Sequence, residues 1–158
     1  RDRQTEQPKT RIAMDKFQAL NELSCEVYQN AVDHGFYDAE HKIAEAAGDD
    51  IYTHEILQHL VFGQRIALIN SELSEALEAD RLGRFAKHVR TVEYALAQNS
   101  AFEAAFRAGI KDTVEDEIAD ALIRILDLCA ANNIDIGTHV RLKMEYNSRR
   151  PKMHGKKY

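Results

Sequence analysis

Apolar residues recur along most of this chain at intervals of three and four, the signature of helices that each bury one face. From Met14 to about Val32, Phe17, Leu20, Leu23, Val27, Tyr28 and Ala31 mark a first helix, which His34-Gly35 closes because glycine tolerates a left-handed cap. Residues 38–47 read as a short helix ending at Gly48. Asp49 or Asp50 then caps a long helix running to about Arg81. Gly83 breaks it, and Phe85, Val89, Val92, Tyr94, Leu96, Phe102 and Phe106 mark a helical stretch, one helix or two short ones, expected to pack over the main helices and to end at Gly109. Thr113-Val114-Glu115-Asp116 matches a capping box and opens a helix ending near Asn132-Asn133. Asp135 or Thr138 opens a last helix, which Pro151 prevents from continuing. There is no internal repeat and no convincing strand, so the predicted fold is all-α, a helical bundle.

The long helix carries two stripes. At about 100° per residue, Leu57, Val61 and Leu68 share a sector of roughly 60° with Glu72 and Glu75. Phe62, Ile66, Ile69, Leu73 and Leu77 form the opposite stripe, which predicts a helix covered on both sides. In the later acidic helix the same geometry groups Glu117, Asp120, Ala121, Arg124 and Leu128, with Ile118, Leu122, Ile125 and Cys129 alongside. Two carboxylate pairs spaced three apart thus continue core-facing stripes. Gathering unpaired acids beside a core costs desolvation and repulsion, which protonation, basic partners or a metal ion offset. Oxygen-only ligands favour magnesium or manganese. The competing interpretation is that these are ordinary acids on solvated helix faces.

A chain of 158 residues, 44% hydrophobic and 30% charged, suits one soluble domain, here residues 14–158, preceded by a flexible arm at 1–13 with Met14 as a candidate natural start. No window reaches the length of a membrane span and no secretory signal is visible, so a cytoplasmic location is expected. Cys25 and Cys129 fall on apolar helical stretches and are expected as buried thiols. His54 and His59 are one residue too far apart for a zinc-protease helix and read as packing or surface groups. The net charge of −5 conceals a basic end: residues 141–158 carry Arg141, Lys143, Arg149, Arg150, Lys152, Lys156 and Lys157 against Glu145 alone. An acidic body with a basic tail can take phosphates or nucleic acid.

Taken together, Ser71-Glu72-Leu73-Ser74-Glu75, Glu117-Ile118-Ala119-Asp120 with its apolar continuation into Asn-Asn-Ile-Asp-Ile, and Lys143-Met-Glu-Tyr-Asn147-Ser-Arg-Arg150-Pro resemble the MazG-like all-α nucleoside triphosphate pyrophosphohydrolases. That family is marked by EExxE, a spacer, ExxD, and a distal Lys and Asn. The stretch from Asn30 to Phe36 is also similar to the opening of some phage and mobile-element members, and the likeness spans Asp15 to about Tyr158.

The resemblance implies a magnesium site at Glu72, Glu75, Glu117 and Asp120, with manganese as a substitute, and Glu72 or Glu75 positioning or deprotonating the attacking water. Lys143, Asn147 and Arg150 would contact phosphates or ribose. The implied reaction converts a nucleoside triphosphate, by family habit a deoxynucleotide in a housecleaning role, to the monophosphate and pyrophosphate. Gln18, Asn21 and Gln29 are candidate amide readers of the base and Phe36 or Tyr37 candidate stacking groups, each with an ordinary structural alternative. Family members form dimers or tetramers, so a homo-oligomer with sites shared between chains is implied.

Two departures stand out. Ser71 replaces the first acid of EExxE, and about 40 residues separate the motifs, implying a helical insertion at about 83–110 that serves as a lid or oligomer contact. A phosphoribosyl-ATP pyrophosphohydrolase would share the metal site and differ in the pocket. A non-enzymatic nucleic-acid-binding or regulatory protein would use the basic end and have no need of the acids, and nucleic acid is not the expected partner. A ferritin-like di-iron protein requires Glu-x-x-His, which neither acidic pair provides.

Overall fold

The computed structural model describes residues 15–151. The expected arm at 1–13 and the tail lysines Lys152, Lys156 and Lys157 lie outside the described residues. Among the described residues seven helices follow one another: α1 Lys16–Asp33, α2 Asp38–Ala47, α3 Ile51–Arg81, α4 Val89–Ala97, α5 Phe102–Gly109, α6 Val114–Ala131 and α7 Ile136–Ser148. The all-α class is as the periodicity predicts, and among the described residues no helix is long and apolar enough to cross a membrane.

Local chemistry sets the boundaries. Asp15, Asp50, Thr113 and Asp135 each cap a helix by accepting a backbone N–H from the first turn, which satisfies donors that have no intrahelical partner. Gly35 takes φ +78° after α1, the left-handed geometry expected there.

The bundle is centred on α6, which packs along α3 and α1, while α7 packs on α1 and α2 on α3. Leu126 of α6 is almost fully enclosed, and Ser24 of α1 donates to its carbonyl oxygen at 2.6 Å. Gly137 of α7 lies so close to the Phe17 carbonyl of α1 that a Cβ has no room. Asn21 of α1 ties this junction by donating to Asp135 and accepting from the Gly137 N–H.

Two expectations need correction. Cys129 is buried but Cys25 is exposed, because its position on α1 falls outside the sector that α6 and α7 cover. The helices at 89–109 do not lie over the main bundle as expected. α4 and α5 pack chiefly against each other, around Val92, Ala95 and the Phe102–Phe106 ring pair.

Candidate metal centre

The α3–α6 contact brings the two acidic segments face to face. Glu72 and Glu117 are buried at 7% and 6% exposure, whereas Glu75 is exposed at the rim. One carboxylate oxygen from each of Glu72, Glu75 and Glu117 lies within 4.8 Å of the other two. Oxygens sharing one magnesium ion at 2.0–2.1 Å sit at most about 4.2 Å apart, so a small closure converts this set into a divalent-cation site. Asp120 is half-buried beside them. A second group, Asp112, Asp116 and Glu117, meets the same spacing and shares Glu117 with the first.

Electrostatics agree with the geometry. Burial first, and then the charges of Glu75, Asp116, Asp120 and Glu72, push the Glu117 carboxyl above its ordinary range. Burial followed by Asp116 and Glu72 does the same for Asp120, opposed by Arg124 and Lys111. Glu117 makes no side-chain hydrogen bond or ion pair with any described residue. Its oxygens keep access to solvent, and the partial burial and crowding of like charges around them are what a proton or a bound cation would relieve. Glu72 has a counter-charge already: Arg124 Nε donates to its Oε1 at 2.6 Å. Ser71, next to Glu72 on α3, donates its hydroxyl to Glu75 at 3.2 Å.

A cavity of about 380 Å³ opens beside the carboxylates between α1, α2, α3 and α6, with Asp120 and Arg124 on its wall. Asn30, Phe36, Gln64 and Leu68 also line it. Tyr37 is buried and held from three sides. Its hydroxyl donates to Asp127 at 2.7 Å, its ring meets Tyr28 edge-on at 4.9 Å, and the Arg65 guanidinium lies 4.5 Å from the ring centre. Arg65 is itself fixed by donating to both Glu40 oxygens at 2.8 and 2.9 Å. Burial, then the bond to Asp127, raises the Tyr37 hydroxyl far above the usual tyrosine range, so it stays a donor. Phe36 is 78% exposed.

The other residues singled out in the sequence lie elsewhere. Gln18 donates to Glu22 and Gln29 to Asp33 along α1, while Asn21 serves the α7 junction. Lys143 and Asn147 lie on α7 and Arg150 just beyond its end, and none of them lines the cavity. Lys143 and Arg150 instead flank the Tyr146 ring at 5.3 and 5.7 Å.

Gln64, Arg65 and Asp127 carry no motif, and Asn30 stands out in the sequence only as the start of the Asn30–Phe36 stretch, yet two of them had a readable signal. Arg65 precedes Glu72 by seven residues and Asp127 follows Asp120 by seven, which places each on its acid's own helix face. Comparisons with protein families, curated proteins and solved structures return no match for the chain. The site therefore rests on its residues and their geometry.

Proposed function

We propose that the protein is a magnesium-dependent nucleoside triphosphate pyrophosphohydrolase of the MazG-like kind, yielding a nucleoside monophosphate and pyrophosphate. The observation that carries this is the group at Glu117: a largely buried residue whose carboxylate makes no side-chain hydrogen bond and has an oxygen within 4.8 Å of Glu72 and Glu75, one helical turn before Asp120, which lines a nucleoside-sized cavity. Glu72, Glu75, Glu117 and Asp120 are the residues that would hold magnesium, or manganese in its place. When bound, the cation supplies charge neutralisation at the phosphates and lowers the pKa of water. Glu75, the exposed member, is open to solvent and suited to orient and deprotonate the attacking water. The α–β phosphoanhydride bond breaks and pyrophosphate leaves.

In this interpretation the cavity takes the nucleoside. Tyr37 and Phe36 offer aromatic surface, and the amides of Asn30 and Gln64 can read a base edge. Arg124, on the wall between cavity and acids, can turn to the substrate once a cation takes over Glu72.

Homo-oligomerisation fits the same proposal. Phe62, Ile66, Leu73 and Leu77 of α3 and Ile118, Leu122 and Ile125 of α6 are 36–53% exposed, more apolar surface than a lone chain ordinarily leaves uncovered. A second copy would cover these stripes, and its α7 could supply Lys143, Asn147 and Arg150 to phosphates or ribose.

The test is incubation with each ribo- and deoxynucleoside triphosphate, with and without magnesium, followed by product separation. Magnesium-dependent monophosphate plus pyrophosphate is expected. Glu75→Gln and Asp120→Asn should abolish turnover with the helical circular dichroism unchanged, and full activity in both would refute the metal assignment. Phosphoribosyl-ATP in the same panel separates the related hydrolase activity.

A further inference from the structure

A second concavity, of about 520 Å³, lies where the chain leaves α3 and where α5 turns into α6. Arg84, Lys87, Lys111 and Asp112 are on its wall, three cations against one acid. The wall is held by the backbone rather than by those side chains. The Lys87 N–H donates to the Gly109 carbonyl at 2.7 Å, and the Val114 N–H to the Arg84 carbonyl at 3.0 Å. The Ala86 N–H donates to the Glu115 carboxylate at 2.8 Å. A Cβ at residue 109 would stand 2.5 Å from the Lys87 carbonyl oxygen, so only glycine allows the two segments to close this tightly. Lys111 pairs with Asp112 at 2.8 Å. Among the described residues the Arg84 and Lys87 side chains make no hydrogen bond or ion pair.

The carboxylates connect this concavity to the first. Asp120 lines the nucleoside-sized cavity and Asp112 lines the cationic one. Between them, Glu117 belongs both to the Glu72–Glu75 group and to the Asp112–Asp116 group. A ligand bound at the carboxylates through a cation and extending past Glu117 towards Asp112 would be directed to the concavity that Lys111, Lys87 and Arg84 line. An aromatic and amide-lined cavity, an acidic centre and a cationic cavity in that order match a nucleoside, a metal-bound phosphate bridge and a polyanionic tail. Clefts lined by one sign of charge also concentrate the opposite ion.

We propose that the cavity walled by Arg84, Lys87 and Lys111 is a diphosphate site, which holds the β- and γ-phosphates of the substrate and retains pyrophosphate after cleavage. The assignment of the tail to a nucleotide rests on the function proposed above; the affinity of the cavity for diphosphate does not.

The experiment is calorimetric titration of the full chain, in magnesium chloride, with inorganic pyrophosphate, inorganic phosphate and a nucleoside monophosphate. It is run on the wild type and on the Arg84→Ala/Lys87→Ala double variant, which leaves every backbone bond of the wall in place. The wild type should bind pyrophosphate more tightly than phosphate. The double variant should lose at least tenfold in pyrophosphate affinity and keep its monophosphate affinity. Equal pyrophosphate affinity in the two proteins, or none in the wild type, overturns the proposal. If the double variant loses its helical signal, Lys87→Ala alone is read in the same way. Pyrophosphate binding that depends on Arg84 and Lys87 without turnover of any nucleotide would sustain the site and sink the enzyme assignment. Turnover with an unchanged KM in the double variant would do the reverse.

Discussion

Arg124 offers the sharpest test of the centre, because its guanidinium is the positive charge that already partners Glu72. Arg124→Met removes the Nε–Glu72 bond of 2.6 Å while keeping a long side chain. The Glu72 side chain is 9% exposed and that of Arg124 42%, so one partner is buried and the other is wet. Stranding one charge of a fully buried pair costs about 3–5 kcal/mol, and breaking an exposed pair costs about 0–1 kcal/mol. This mixed pair falls between, at about 2 kcal/mol. For a domain of this size that is a fall in melting temperature of about 4–8 °C, read by circular dichroism in EDTA. Magnesium should reverse much of it. With the competing guanidinium gone, a tenfold tighter Kd would add about 1.4 kcal/mol to the stabilisation that saturating magnesium confers. The magnesium-induced rise in melting temperature should therefore be larger in Arg124→Met than in the wild type. An equal rise in both proteins would show that Glu72 does not hold the cation.

Tyr37→Phe removes the donor to Asp127 and should cost about 1.5–3 kcal/mol, the range for a hydrogen bond to a charged group, seen as a lower urea midpoint at unchanged m. An unmoved midpoint would show that the Tyr37–Asp127 bond adds nothing to stability. Gly137→Ala forces a Cβ against the Phe17 carbonyl and should destabilise by about 2–3 kcal/mol, with hydrogen exchange rising first in α7; protection equal to wild type would refute the close approach. Glu117 and Asp120 sit above their ordinary values of 4.5 and 3.8, so in the folded state each takes up its proton at higher pH than in the unfolded chain. Their stabilising contribution is complete below those ordinary values and is lost as pH rises through the raised ones. In EDTA the wild type should thus gain stability relative to Glu117→Gln as pH falls from neutrality towards the ordinary carboxylate values. A constant difference between the two proteins across that window would contradict the shift. Magnesium affinity should fall over the same window, because protons compete for the same oxygens.

Much of the fold was legible in the chain because helices are local. The caps at Asp50 and Thr113, the closure at Gly35 and the stop before Pro151 depend on residues within a turn or two of each boundary, and they sit where the pattern places them. The i,i+3 spacing likewise fixes which acids share a helix face, since that is a property of a single helix. The docking of α4 and α5 was not legible, because apolar periodicity shows that a face is buried without saying against what. The exposure of Cys25 escaped for the same reason.

The sequence by itself determined the helical segments, though not whether 84–109 holds one or two, together with most of their ends and the acidic faces of two of them, because hydrogen bonding and side-chain direction in a helix are set by neighbours a few residues apart. Only the tertiary structure decided that Glu117 meets Glu72 and Glu75 across the α3–α6 contact, and that Arg124 neutralises Glu72. It also placed Tyr37, Arg65 and Asp127 around one cavity and Arg84, Lys87 and Lys111 around another. Those contacts join residues some tens of positions apart, and their register depends on how whole helices interlock, which no local pattern encodes.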